Sequence, residues 1–348
     1  MVGAAHPRGA AGGAIGSRIR RPARFHAIVL IGFATAIAAL TTLVGRVPLP
    51  VALTIAVIGG SGGPVVAGGL SSLVAASLPD TAHGRGYAWD AATYNAASVV
   101  GPAVVAAVAT LFSASTSGYL LAAAATGAGV LIFGVSTRPV DHNDRTPAFG
   151  TDLVSGFVTV WRRPVLRAVT AASCLAYLGL GGLTITAVLA ARQWGSATQG
   201  GLLMTCFAVG ATAGALGLAR RPVPIAPQWL AALSLLITGI GLAGAAAATS
   251  VIPAGAFFLL AGLGDGPLLG ATFHVRATHT TPRDRAQVFT TGAALKISAA
   301  ALGAAVAGSV PVSPMILLVG IAITQGAAAL LLWLMLRHVG SVTKVAAD

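Results

Sequence analysis

A chain of 348 residues that is 56% hydrophobic and only 8% charged, with a mean hydropathy of +0.86, has too few polar side chains to cover itself in water. Soluble domains carry about 25% charged residues. The formal charge of +13 would suit nucleic acid only if the basic residues formed an aromatic-studded patch, and they fall instead between apolar runs. Composition therefore excludes a soluble enzyme and a nucleic-acid-binding domain, and leaves a polytopic protein whose partner is the lipid bilayer.

About 20 mostly apolar residues cross a bilayer as a helix. Ten such runs follow one another: 27–45, 51–78, 91–112, 118–136, 166–191, 198–219, 228–249, 252–274, 287–308 and 314–336. Short Gly, Pro and Ser stretches separate most of them. One connection is long, 137–164, and its segment "TDLVSGFVTVWRR" is expected to form a short helix along the membrane surface, with Thr151 or Asp152 as N-cap. The organisation expected is a helical bundle over 1–136, a cytoplasmic linker over 137–164, a six-helix bundle over 165–336 and a cytoplasmic tail over 337–348.

If these spans are right, the loops alternate sides and the basic residues must segregate. Of the 21 Lys and Arg residues, only Arg46 and Arg192 fall on one side and Lys296 falls within a span; all others share the opposite side. Inventing or losing one span would destroy that split. It sets both termini in the cytoplasm of a multi-pass plasma (inner) membrane protein. Trp89, Trp161, Trp194, Trp229 and Trp333 all sit near span ends, where an indole bridges lipid and headgroup.

Cys174 and Cys206 lie inside apolar runs and read as packing residues, and the seven histidines show no metal-binding spacing, so no metal or cofactor is expected. His274, at a span end, reads as a proton group or as a solvated ring. No Gly-Lys-Ser/Thr follows a glycine cluster, so no ATPase domain is present in the chain. The clusters "GGSGGP" (59–64) and "GATAG" (210–214) suit close helix packing, or hinges.

The chain repeats itself. "GGPVVAGGLSSLVAASLP" (62–79) and "GDGPLLGATFHVRATHTTP" (264–282) place Pro64 and Pro79 against Pro267 and Pro282, 203 residues apart, and Gly101 pairs with Gly303. "GAAGGAIGSRIRRP" (9–22) aligns with "GATAGALGLARRP" (210–222) after one gap. The second half holds six spans and the first four, plus the end of a fifth. A parent of six plus six spans is the expectation, with the first helix and most of the second missing from this chain.

Two parallel six-helix halves joined by a cytoplasmic linker resemble the major facilitator superfamily of secondary transporters. That family's loop after its second helix reads G-x-L-a-D-r-x-G-r-[RK]. "GAIGSRIRR", with Gly13, Gly16, Arg18, Arg20 and Arg21, is similar to it, although Ser17 stands where the family has Asp and Arg20 where it has Gly. Of the g-x-x-x-G-P-x-x-G-G element of the family's drug and proton antiporters, "ASVVGPAVVA" keeps Gly101 and Pro102. The resemblance implies an all-α integral membrane fold of two pseudo-symmetric halves, about ten transmembrane helices from a parent of twelve.

A charge in the hydrocarbon core costs at least ~2.5 kcal/mol on insertion scales, so each one is a functional candidate. Asp265 and Lys296 lie at equal depth on consecutive spans, where they could form a switchable pair or take a coupling proton. Alternatively, Lys296 snorkels and Asp265 binds backbone groups freed by its glycines and Pro267. The repeat sets Tyr94 and Asn95 near the position of Lys296, with Asp90 one turn nearer the cytoplasm, as a pathway residue or a helix-start residue. Tyr177 and Gln325 complete the polar candidates, as pathway residues or interhelical hydrogen bonds. Gly101, Pro102, Pro64 and Pro267 are the gating or helix-break candidates.

The function expected is secondary transport of a small organic solute by rocking of two bundles, with export favoured by Gly101-Pro102. The substrate is not legible, and a proton is one coupling partner the site could take. A membrane-embedded transferase would need acidic or His clusters in interfacial loops, and the chain has eight acids, all Asp. A non-transporting remnant is the other reading, since the family's first helix helps line the central cavity.

Overall fold

The computed structural model describes residues 22–134, 149–195, 199–281 and 284–345, and all regular structure among them is helical. The helices are α1 (Pro22–Leu43), α2 (Leu49–Gly60), α3 (Gly63–Ser77), α4 (His83–Leu111), α5 (Ala114–Gly134), α6 (Phe149–Arg162) and α7 (Pro164–Leu180). They continue with α8 (Leu183–Gln193), α9 (Gln199–Arg220), α10 (Pro227–Ala246), α11 (Val251–Thr278), α12 (Arg285–Ser309) and α13 (Pro314–Val345). Eight segments among the described residues are long and apolar enough to cross a membrane, α7 and α8 counting together as Pro164–Gln193.

Two expected spans fall outside those eight. The run 51–78 divides into α2 and α3 at Ser61 and Gly62, where glycines disfavour helix by about 1 kcal/mol each and Pro64, in the first turn of α3, has no N–H to continue the ladder. The run 91–112 lies within α4, whose 29 residues are long enough to cross a membrane. With these two included, the helices follow the ten expected runs. The linker helix is present as α6, but Thr151 and Asp152 lie inside it rather than at its N-cap, because the helix already starts at Phe149.

The repeat is visible in where helices begin. α4 starts at His83 and α12 at Arg285, 202 residues later; α5 starts at Ala114 and α13 at Pro314, 200 later.

The helices group into two compact units, Met1–Val66 with Val105–Asp152 and Ala67–Val104 with Leu153–Asp348. Lipid is as apolar as the side chains facing it, so helices associate mainly through close packing of small residues. In the first unit, Gly59 of α2 meets Ala36 of α1, and Gly118 of α5 meets Thr41. In the second, Gly210 and Gly214 of α9 face Leu259 and Leu263 of α11, while Gly262 and Gly266 of α11 face Phe207 and Ala211. Two GxxxG pairs thus bring the α9 and α11 backbones together. Leu166, Leu235, Leu268 and Leu332 fill one buried core, and Leu183, Leu203, Leu242, Phe258 and Leu318 another. Ile240, Ile252 and Leu302 are exposed, as lipid-facing residues should be. Trp89, Trp161 and Trp229 are exposed toward one end of their helices, and Trp333 is exposed near the end of the span Pro314–Arg337.

Candidate substrate and ion site

Glycines set the distance between α7 and α12. A side chain on Gly181, at the α7–α8 break, would run into the carbonyl of Ala300, and one on Gly303 would run into that of Leu178. This backbone-to-backbone approach brings Tyr177 of α7 to Lys296 of α12, with Nζ 4.7 Å from the ring centroid. α11 supplies Asp265, only 6% exposed, whose carboxylate lies near the Tyr177 hydroxyl and in the field of Lys296. One carboxylate oxygen, Oδ1, has no partner.

Tyr177 therefore stands between the two charges, a hydroxyl toward the acid and a ring face toward the cation. A cation over a ring gains about 0.5–2 kcal/mol, more as water is excluded. α11 passes through Pro267 without interruption. Beside the triad lies a cavity of about 230 Å³ lined by Tyr177, Leu180, Leu183, Met204, Phe207 and Asp265, with Gly181 and Ala300. Its wall is apolar except for the tyrosine and the aspartate.

The first-half candidates form a different group. Tyr94 donates to the Ala67 carbonyl of α3 at 2.9 Å, and Asn95 donates to the Ala211 carbonyl of α9 at 3.4 Å. Asp90 sits beside Ser71 and Tyr94, with Oδ2 buried and unpartnered. Tyr94 touches Phe273, which packs with Tyr87 and Phe289 at 5.9 and 5.7 Å between ring centroids. Tyr87 stacks on Phe289 at 5.7 Å. Gly68 of α3 rests on the backbone at Phe289 and Thr290 of α12. The result is a packed seam between α3–α4 and α9, α11 and α12.

Gln325, fully buried, donates to the Ala176 carbonyl one residue before Tyr177, at 2.9 Å, and its Oε1 has no partner. It ties α13 to α7 and does not line the cavity. Gly101 and Pro102 lie within α4, and Pro64 opens α3. His274 of α11 lies against Gly84. Gly13, Gly16, Arg18, Arg20 and Arg21 lie outside the described residues. Among the described residues no cluster of His, Cys, Asp or Glu could hold a metal ion.

One residue was missed from the sequence. Arg276 counts there as a loop charge, yet it is 2% exposed, and among the described residues neither its Nε nor its Nη2 has a hydrogen-bond partner. Its guanidinium occupies the space a side chain on Gly292 would fill, one helical turn before Lys296. Cys174 and Tyr177 are its electrostatic neighbours.

Residues 9–307 match the profile described as Major Facilitator Superfamily. An uncharacterized MFS-type transporter, y4rN, of Sinorhizobium fredii is 27% identical over 291 residues, 82% of this chain and 71% of its own length. The human organic anion transporter MFSD10 (TETRAN) superposes with a TM-score of 0.70 at 21% identity, covering 91% of this chain and 76% of that one. The fucose:proton symporter FucP of E. coli gives 0.61 at 13% identity, covering 92% and 88%. The last two likenesses establish the fold alone.

Proposed function

From the premise that the chain belongs to the Major Facilitator Superfamily and is a secondary transporter, we propose that it moves a small organic solute by alternating access of two helical bundles, 1–136 and 165–336. The observation that carries this reading is the Asp265–Tyr177–Lys296 group beside an apolar cavity. Opposite charges in hydrocarbon are costly unless they face a cavity or one another; here Asp265 lines the cavity and lies in the field of Lys296. The solute's body would lie against Leu180, Met204 and Phe207, and the triad would hold its polar end.

Proton coupling fits the same group, since protonating Asp265 would free Lys296 and the tyrosine to rearrange. Efflux is the direction favoured by Gly101-Pro102 in α4, and the segregated basic residues support a plasma membrane location with cytoplasmic termini. The aromatic seam of Tyr87, Phe273 and Phe289 would be the inner gate, parting when the site opens to the cytoplasm. The experiment is flux in proteoliposomes, with a panel of radiolabelled amino acids, sugars, carboxylates and organic cations, comparing the parent with Lys296→Met. Saturable flux of a panel member that falls at least tenfold in the variant supports the site; equal flux in both removes Lys296 from it.

A further inference from the structure

Arg276 is the group the triad does not explain. A guanidinium offers its donors along edges, and Nε–H and one N–H of Nη2 point the same way, spaced to match two oxygens of one oxyanion. Both atoms are buried without a hydrogen-bond partner among the described residues. The residue is 2% exposed, so the vacant edge is not satisfied by bulk water. Its setting is built around it, because any side chain at Gly292 would displace the guanidinium.

The local charge is unbalanced in the same sense. Arg276 and Lys296 lie in each other's field, and Asp265 is the acid facing Lys296. Among the described residues one positive charge is left over in a desolvated place, which an anion would compensate. Along α12, Gly292, Lys296 and Ala300 recur every four residues and share a face: the first meets Arg276, the second Tyr177, and the third the cavity. Cations and apolar wall thus form one continuous stripe.

We propose that the solute is an amphipathic organic monoanion, whose carboxylate, sulfonate or phosphate head is held by the Nε–Nη2 edge of Arg276 with Lys296 beside it, and whose apolar body fills the cavity lined by Leu180, Met204 and Phe207. This rests on the transporter reading, and the two fail separately in the test below.

Cys174 is the reporter, since its thiol lies in the field of both Arg276 and Lys296. In a Cys206→Ser background, the rate of Cys174 alkylation by N-ethylmaleimide is followed by mass spectrometry. The probes are octanoate, 1-naphthalenesulfonate, the neutral 1-naphthalenesulfonamide and the cation trimethyl(1-naphthylmethyl)ammonium. At least one anion should slow alkylation five-fold or more, with the neutral and cationic probes inert. Arg276→Leu should abolish the protection, and Arg276→Lys, which keeps the charge and loses the fork, should weaken it about tenfold in half-protecting concentration. If Arg276→Leu fails to fold, Arg276→Lys and Lys296→Gln carry the comparison.

Protection by the neutral or cationic probe, by none of the four, or undiminished by the Arg276 substitutions overturns the anion site. Flux of the same probes into proteoliposomes is read in parallel. Protection without flux keeps the site and removes transport, whereas flux of a non-anionic probe without anion protection does the reverse.

Discussion

Tyr87 is the ring on which the seam between α3–α4 and α11–α12 turns. It is fully buried and packs against Phe273 at 5.9 Å and Phe289 at 5.7 Å. Each aromatic pair is worth about 0.5–1.5 kcal/mol beyond area burial, so Tyr87→Ala removes about 2 kcal/mol from the packed arrangement. If the seam parts during transport, that loss falls on the closed state and leaves the open one nearly untouched. The open population should then rise about 30-fold. The assay replaces Cys174 and Cys206 by Ser and places a cysteine at Ala92, which is 4% exposed in the same cluster. Its rate of alkylation by N-ethylmaleimide should rise about 30-fold in Tyr87→Ala and hardly change in Tyr87→Phe. An unchanged rate with a lowered thermal midpoint would make the seam a permanent interface and refute the gate.

Three further outcomes follow from the second unit. Asp265→Asn leaves Lys296 without its facing acid and should lower stability by about 3 kcal/mol; the double variant with Lys296→Met should recover part of the loss, as read by thermal unfolding in detergent. Gly303→Val drives a side chain into the Leu178 carbonyl, so it should cost about 1–3 kcal/mol and cut flux at least tenfold by pulling Lys296 from Tyr177. Gln325→Met loses one interhelical hydrogen bond, worth about 0.6 kcal/mol in a membrane, and should leave flux and thermal midpoint near those of the parent.

The apolar runs made the helices legible, because a lipid solvent writes its demand into every span. Depth counting also placed Asp265 and Lys296 on one level, since a helix advances a fixed 1.5 Å per residue. Tyr177 was harder: a lone tyrosine in a span carries no sign of its neighbours, and its role comes from Gly181 and Gly303 letting two backbones touch. Arg276 was misread for a physical reason. Two residues from a helix end a long cation is expected to snorkel outward, and only the absent side chain at Gly292, on another helix, turns it inward. The α2–α3 break was present in "GGSGGP", but glycine pairs that pack and glycine pairs that interrupt a helix look alike in sequence.

The most direct measurement is trans-stimulation in proteoliposomes without ATP. Where return of the empty site limits the cycle, a transporter with alternating access exchanges labelled outside solute for unlabelled inside solute faster than it makes net uptake. Proteoliposomes preloaded with a transported panel member should take up the labelled form several-fold faster than empty ones, and Lys296→Met should abolish the difference. Uptake that is non-saturable, equal with and without preloading, or no greater than in protein-free liposomes would contradict the account.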